Sequence, residues 1–154
     1  MSAGADSTTD RRDDYGVLER GGSRPVLRYE RRLPHPPGKV WRALTEPQQL
    51  AAWFPTTIEG ERAAGARLRF AFEDMPIEPM HGEMLRFEPP SVLEFSWGPD
   101  TVHFELSPDG DGTVLVLIVG LEEIGKAARD GAGWHTCLDG LALELAAERD
   151  RGIV

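Results

Sequence analysis

The sequence contains a single cysteine, Cys137, among 154 residues. One thiol cannot close an internal disulfide or supply the several thiolates of a structural zinc site, so folding has to rest on packing. Basic residues are also in the minority, with 17 Lys and Arg against 26 Asp and Glu and a net charge of −9. A surface of that sign is poorly suited to nucleic-acid phosphates or anionic lipid, and neither nucleic acid nor a membrane is expected as a partner. No stretch approaches the ~18 apolar residues of a membrane span, and the opening MSAGADSTTD has no apolar run to act as a signal-peptide core. A cytoplasmic location is expected. The chain also lacks a Gly-rich phosphate loop, HExxH, GxSxG and any paired-cysteine motif. No catalytic residue, metal site or cofactor is predicted.

What is present is an ordinary globular balance, 40% apolar and 28% charged, at the length of one domain. Residues 1–13 are small, polar and charged and read as a disordered tail, leaving 14–150 as one domain. YGVLER and RPVLRYERR flank Gly21-Gly22-Ser23 and predict an opening hairpin. In LPHPPGKVWRALTEPQQLAAWF, Val40, Trp41 and Leu44 fall at helical spacing, and Thr45 is a candidate cap for a second short helix holding Leu50, Trp53 and Phe54. Five strand candidates follow: ARLRFAF, HGEMLRF, SVLEFSW, TVHFELS and TVLVLIVGL. Their turns are Pro89-Pro90, Gly98-Pro99-Asp100 and PDGDG, and together they predict an antiparallel meander. From Gly133 a long helix is predicted, with Trp134, Cys137, Leu138, Leu141, Ala142 and Leu145 on one apolar stripe.

Within that helix GWHTCLDG places His135, Cys137 and Asp139 close together in sequence. At 100° per residue Cys137 joins the apolar stripe, His135 sits at its border and Asp139 points nearly away, so the three cannot converge on one substrate atom. His135 and Asp139 read as a solvated helix-face pair, and Cys137 as a packed side chain rather than a reactive thiol. His35, His81 and His103 read as solvated.

The order of these elements, with PPGKVWRALTEPQQLAAWF, GEMLRFEPPSVLEFSWG, DGDGTVLVLIV and GAGWHTCLDGL, resembles the heat-shock-protein-90 ATPase activator homologue family of the START-like superfamily. The resemblance runs from about Tyr15 to Ala147 and implies an α+β helix-grip fold, in which a curved antiparallel sheet wraps a long C-terminal helix. It matches Trp41 and Leu44 to the family's first helix, Trp53-Phe54 to the aromatic pair after the second, and Gly133-Trp134 to the start of the gripping helix. It also implies a cavity between sheet and helix that receives a small hydrophobic or amphipathic molecule in many relatives, while no catalytic residue is common to the family.

On that fold the predicted lining from the first half of the domain is Trp53, Phe54, Phe70 and Phe72. Phe95, Trp97 and Phe104 come from the later strands, and Trp134, His135, Cys137, Leu138 and Leu141 from the helix. Leu93 and Leu117 share the same inward parity. The list equally describes an ordinary core. The last strand departs from the usual alternation, because Val114, Val116 and Ile118 make its second face apolar as well. That face is predicted either to pack on a second subunit or the N-terminal segment, a homodimer being one expectation, or to be shielded by neighbouring long side chains. The favoured function is ligand binding. The alternatives are a protein-interaction or stress-response scaffold, and a cavity enzyme of the polyketide cyclase type with His135 or Glu83 turned inward.

Overall fold

The structure, a computed structural model, describes residues 17–19, 25–72, 75–122 and 127–150. The expected tail over 1–13 and the Gly21–Ser23 turn lie outside these residues. Strand β1 (Val17–Glu19) pairs antiparallel with β2 (Val26–Leu33), Val17 facing Arg28. Alternation along β2 sends Leu27, Tyr29 and Leu33 inward, where all three are buried.

Helices α1 (Pro37–Thr45) and α2 (Pro47–Trp53) each begin on a proline, whose missing N–H costs nothing in a first turn. Thr45 does not cap α2. The residue before the helix is Glu46, which makes no side-chain cap, while Thr45 Oγ1 donates to the Trp41 carbonyl at 2.9 Å. Thr45 still belongs to the last turn of α1, where its hydroxyl lies over the carbonyl one turn back. Phe54 falls just past the end of α2 rather than inside it, and is buried.

The meander comprises β3 (Arg67–Phe70), β4 (Met80–Glu88), β5 (Val92–Trp97), β6 (Asp100–Asp109) and β7 (Gly112–Gly120). Strand β2 returns to pair with β7, Tyr29 opposite Leu117, and closes a seven-stranded sheet in the order β1-β2-β7-β6-β5-β4-β3. Pairing is antiparallel throughout, with a register shift between Met84 and Arg86 on β4. Strand β3 ends at Phe70, so Phe72 lies beyond it.

Helix α3 spans Ala127–Asp150 and begins ahead of the expected Gly133. Ala127, Ala128 and Arg129 are good helix formers, and Gly131 and Gly133 are accommodated within the helix. Trp134, Leu138, Leu141 and Leu145 are buried, with Cys137 and Ala142 half-buried beside them. Gly140 faces α2, where an added Cβ would stand 3.3 Å from Trp53 Cβ; this close approach brings the two helices together. The result is the helix-grip arrangement, with α1 and α2 completing the cover of the inner sheet face.

Two histidines differ from expectation. His35 is only 5% exposed, with Nδ1 3.2 Å from Lys39 Nζ, and its carbonyl accepts from Thr113 Oγ1 at 2.7 Å. Lys39 Nζ also donates to the Leu145 carbonyl, so this polar knot ties the approach to α1 to the far end of α3. His103 is half-buried on the outer sheet face between Glu94 and Glu105, at 3.3 and 2.8 Å. His81 is exposed.

Candidate functional site

Between the sheet and α3, aromatic rings pack on one another. Phe70 meets Trp97 with centroids 4.8 Å apart, Phe54 meets Trp97 at 5.3 Å, Trp97 meets Trp134 at 6.0 Å and Trp53 meets Phe104 at 6.3 Å. Phe95 adds contacts to Phe54 and Phe70, and Leu138 and Leu141 are buried against the same core with Leu93 and Leu117. Tilted and edge-to-face pairs of this kind are the packing of a dense interior.

A cavity of about 850 Å³ lies beside this cluster. Of the residues expected to line a ligand cavity, Phe54 and Phe72 line this one; the others take part in the sheet–helix interior or its edge. Its apolar wall comes from Leu50 and Ala51 of α2, then Phe54, Pro55 and Ile58, with Ala71, Phe72 and Met75 beyond β3 and Phe87 from β4. Phe87 is held by Trp41, with ring centroids 5.5 Å apart.

The loop after α2 forms the polar side. Thr57 N–H donates to the Ala71 carbonyl at 2.9 Å, and Glu59 and Arg69 exchange backbone bonds at 2.8 and 2.9 Å, so the loop is laced to β3. Gly60 turns there with φ +141°, and a Cβ on it would collide with the Arg67 carbonyl. Arg62 then reaches back across the loop. Its Nε and Nη2 donate to the Thr45 carbonyl at 3.0 and 2.9 Å, and its Nη1 to the carbonyls of Ile58 and Gly60 at 3.1 and 3.0 Å. Burial pulls the Arg62 pKa below its ordinary value by disfavouring the charge. Thr56, 4% exposed, belongs to the same wall, and its Oγ1 is sealed from solvent with no hydrogen-bond partner among the described residues.

The carboxylates at the cavity are occupied locally. Glu59 pairs with Arg69 at 2.9 Å and accepts from Thr57 at 3.3 Å, and Glu46 accepts from Gln49 at 3.2 Å. Among the described residues the lining includes no His, Cys or Lys and no nucleophile paired with a base. Such an arrangement can enclose and orient a molecule.

His135, Cys137 and Asp139 occupy a separate place on α3. Arg31 of β2 donates from Nη2 to His135 Nδ1 at 3.1 Å and from Nη1 to Asp139 Oδ1 at 3.1 Å. Arginine only donates, so Nδ1 is the acceptor and the ring proton sits on Nε2, which faces Asp139 Oδ2 at 3.4 Å. The expected helix-face pair is therefore a triad with an arginine from the sheet. Burial pushes the Cys137 thiol up to about 11, away from the reactive thiolate. Nearby, Tyr29 donates to the Gly131 carbonyl at 2.6 Å, and burial raises its pKa to about 12. Glu83 is exposed and not turned inward. Among the described residues no group of three or more His, Cys, Asp or Glu could hold a metal ion.

On the outer sheet face Val114, Val116 and Ile118 are half-buried. Arg32, Glu30 and Arg28 stand opposite them on β2, and Ser107, Glu105 and His103 on β6. Polar side chains thus flank the row on both sides, long ones at every position except Ser107.

With fold and cavity in view, the relatives can be compared. The family profile described as Activator of Hsp90 ATPase homolog 1-like protein matches residues 34–146. The chain belongs to this family. The matched span takes in α1, α2, the meander, the cavity loop and most of α3. Among solved structures, CalU16 from Micromonospora echinospora is 29% identical, covers 89% of this chain and 86% of its own, and superposes with a TM-score of 0.70. MLL2253 from Mesorhizobium loti is 28% identical over 79% of this chain and 97% of its own, with a TM-score of 0.69. DynU16, from the dynemicin biosynthetic locus, is 26% identical over 79% of this chain and 47% of its own, also at 0.69. No curated protein matches the sequence. Among the described residues no helix is long and apolar enough to cross a membrane.

Arg62, Thr56 and Leu50 were not among the expected cavity residues. Leu50 lies in α2, while the loop that carries Thr56 and Arg62, PTTIEGER, has neither helical nor strand period. A buried-charge position such as Arg62 shows only when the Thr45 carbonyl and the loop carbonyls are brought together around it.

Proposed function

We propose that this member of the family binds a small apolar or amphipathic molecule, and that the cavity between α2, the 54–62 loop, Phe72 and Phe87 receives it. The observation that carries the reading is the cavity itself, about 850 Å³ with an apolar wall and a few polar groups on one side. That is the size and composition of a site for a small organic molecule. The likeness to DynU16 of a biosynthetic locus is consistent with such a ligand. The aromatic cluster of Trp53, Phe95, Trp97 and Trp134 acts as a rigid floor, and Phe54 is the ring shared between floor and cavity.

The test uses N-phenyl-1-naphthylamine, a neutral apolar dye whose fluorescence rises when it leaves water. Saturable binding to the wild-type protein is expected. Ala51→Trp fills the mouth from an exposed position on α2 and should weaken binding about 10-fold or more with an unchanged melting curve. Absence of saturable binding, or equal binding by the variant, would overturn the reading.

A further inference from the structure

We infer that the ligand of this cavity is a monoanion, an apolar body ending in one carboxylate, which is received at Arg62. The inference rests on the ligand-binding reading above and names the chemistry of the polar end.

One unmet group lines the cavity: the Arg62 guanidinium, half-buried, whose bonds go to neutral carbonyls of Thr45, Ile58 and Gly60. Among the described residues no ion pair to a carboxylate joins it, although Glu46 and Glu59 line the same cavity, because those acids serve Gln49, Thr57 and Arg69. Carbonyl dipoles orient the cation without cancelling its charge, and a partly desolvated charge gains most from a counter-ion. A guanidinium has five N–H groups, and its four bonds here leave one hydrogen on Nη2 unclaimed.

The same features limit the ligand to one negative charge. One cation with a single unclaimed Nη2 hydrogen matches one carboxylate, whereas a polyanion would meet the acidic cavity edge of Glu46 and Glu59 and a chain of net charge −9. The apolar wall of Leu50, Phe54, Ile58, Phe72 and Phe87 suits an alkyl chain or ring system for the remainder.

Octanoate and octanol share a chain and differ at the head, so their displacement of N-phenyl-1-naphthylamine at pH 8 and low salt reads the headgroup alone. The wild-type protein is expected to prefer octanoate by about 10-fold. Arg62→Gln should erase that preference whatever it does to the absolute affinities for dye and octanol, because any loosening of the loop is felt by octanoate and octanol alike. Equal displacement by the two ligands in the wild type, or a preference for octanoate that survives in Arg62→Gln, would overturn the carboxylate and leave the cavity reading standing. Because the wild-type comparison needs no variant, it decides the matter even if Arg62→Gln loosens the loop. Failure of the dye itself to bind would remove the cavity reading and this inference with it.

Discussion

Phe54 stands between two apolar regions of one small domain. On one side it packs against Trp53, Phe95, Trp97 and Trp134 in an interior of interlocked rings; on the other it borders about 850 Å³ of open space. The filled region is built from strands and a helix whose periodic side chains meet face to face. The open one is bounded by a loop that cannot collapse inward. Backbone bonds to Arg69 and Ala71 hold that loop, and Arg62 braces it against the end of α1. A cavity persists here because its wall is supported by hydrogen bonds rather than by contact with what it faces.

The sharpest way to break the comparison is to hollow the filled side. Phe95→Ala removes a side chain that is 1% exposed and should cost about 3–5 kcal/mol in chemical denaturation. A cost near 1 kcal/mol would mean that the ring cluster is slack and the distinction false. On the open side, Gly60→Ala sets a Cβ against the Arg67 carbonyl at a positive φ and should cost about 2 kcal/mol. It should also weaken dye binding, since the wall of the cavity shifts; lost stability with intact binding would detach the loop from the site.

Cys137 tests how closed the sheet–helix edge is. Its folded pKa of about 11 lies above the ordinary 9.0, so its contribution is fully present below pH 9 and lost as pH rises toward 11. Wild type should therefore lose about 2 kcal/mol more than Cys137→Ala between pH 8.5 and 10.5, the comparison cancelling the parallel titration of Tyr29. Labelling of the thiol at pH 8 should be slow and accelerate on unfolding. The smallest effect is expected from Val116→Lys on the outer sheet face, within about 1 kcal/mol and with no change in sedimentation. A wild-type dimer that this substitution dissociates would instead make the valine row an interface.

Much of the architecture could be read from residue pattern. Alternation in VLRYERRL and SVLEFSW, and the stripe of Trp134, Leu138, Leu141 and Leu145, predict the elements because burial of one face imposes the period. Boundaries were harder: helix α3 runs back past two glycines to Ala127, and Thr45 bonds within α1 instead of capping α2. His35 among prolines gave no hint of the Lys39 and Thr113 contacts that bury it. The candidate site was the least legible, with Phe54 and Phe72 anticipated at the cavity and Arg62 and Thr56 not. Arg62 spans carbonyls from residue 45 to residue 60, and no local spacing encodes such a meeting.

The sequence by itself determined the class of this protein: an acidic α+β domain with a sheet, two short helices and a gripping helix, because hydrophobic period and turn residues act locally. Only the tertiary structure decided where space remains. A void depends on which side chains from distant segments fail to meet, and a half-buried cation whose bonds go to backbone carbonyls can be recognised only once its surroundings have been assembled.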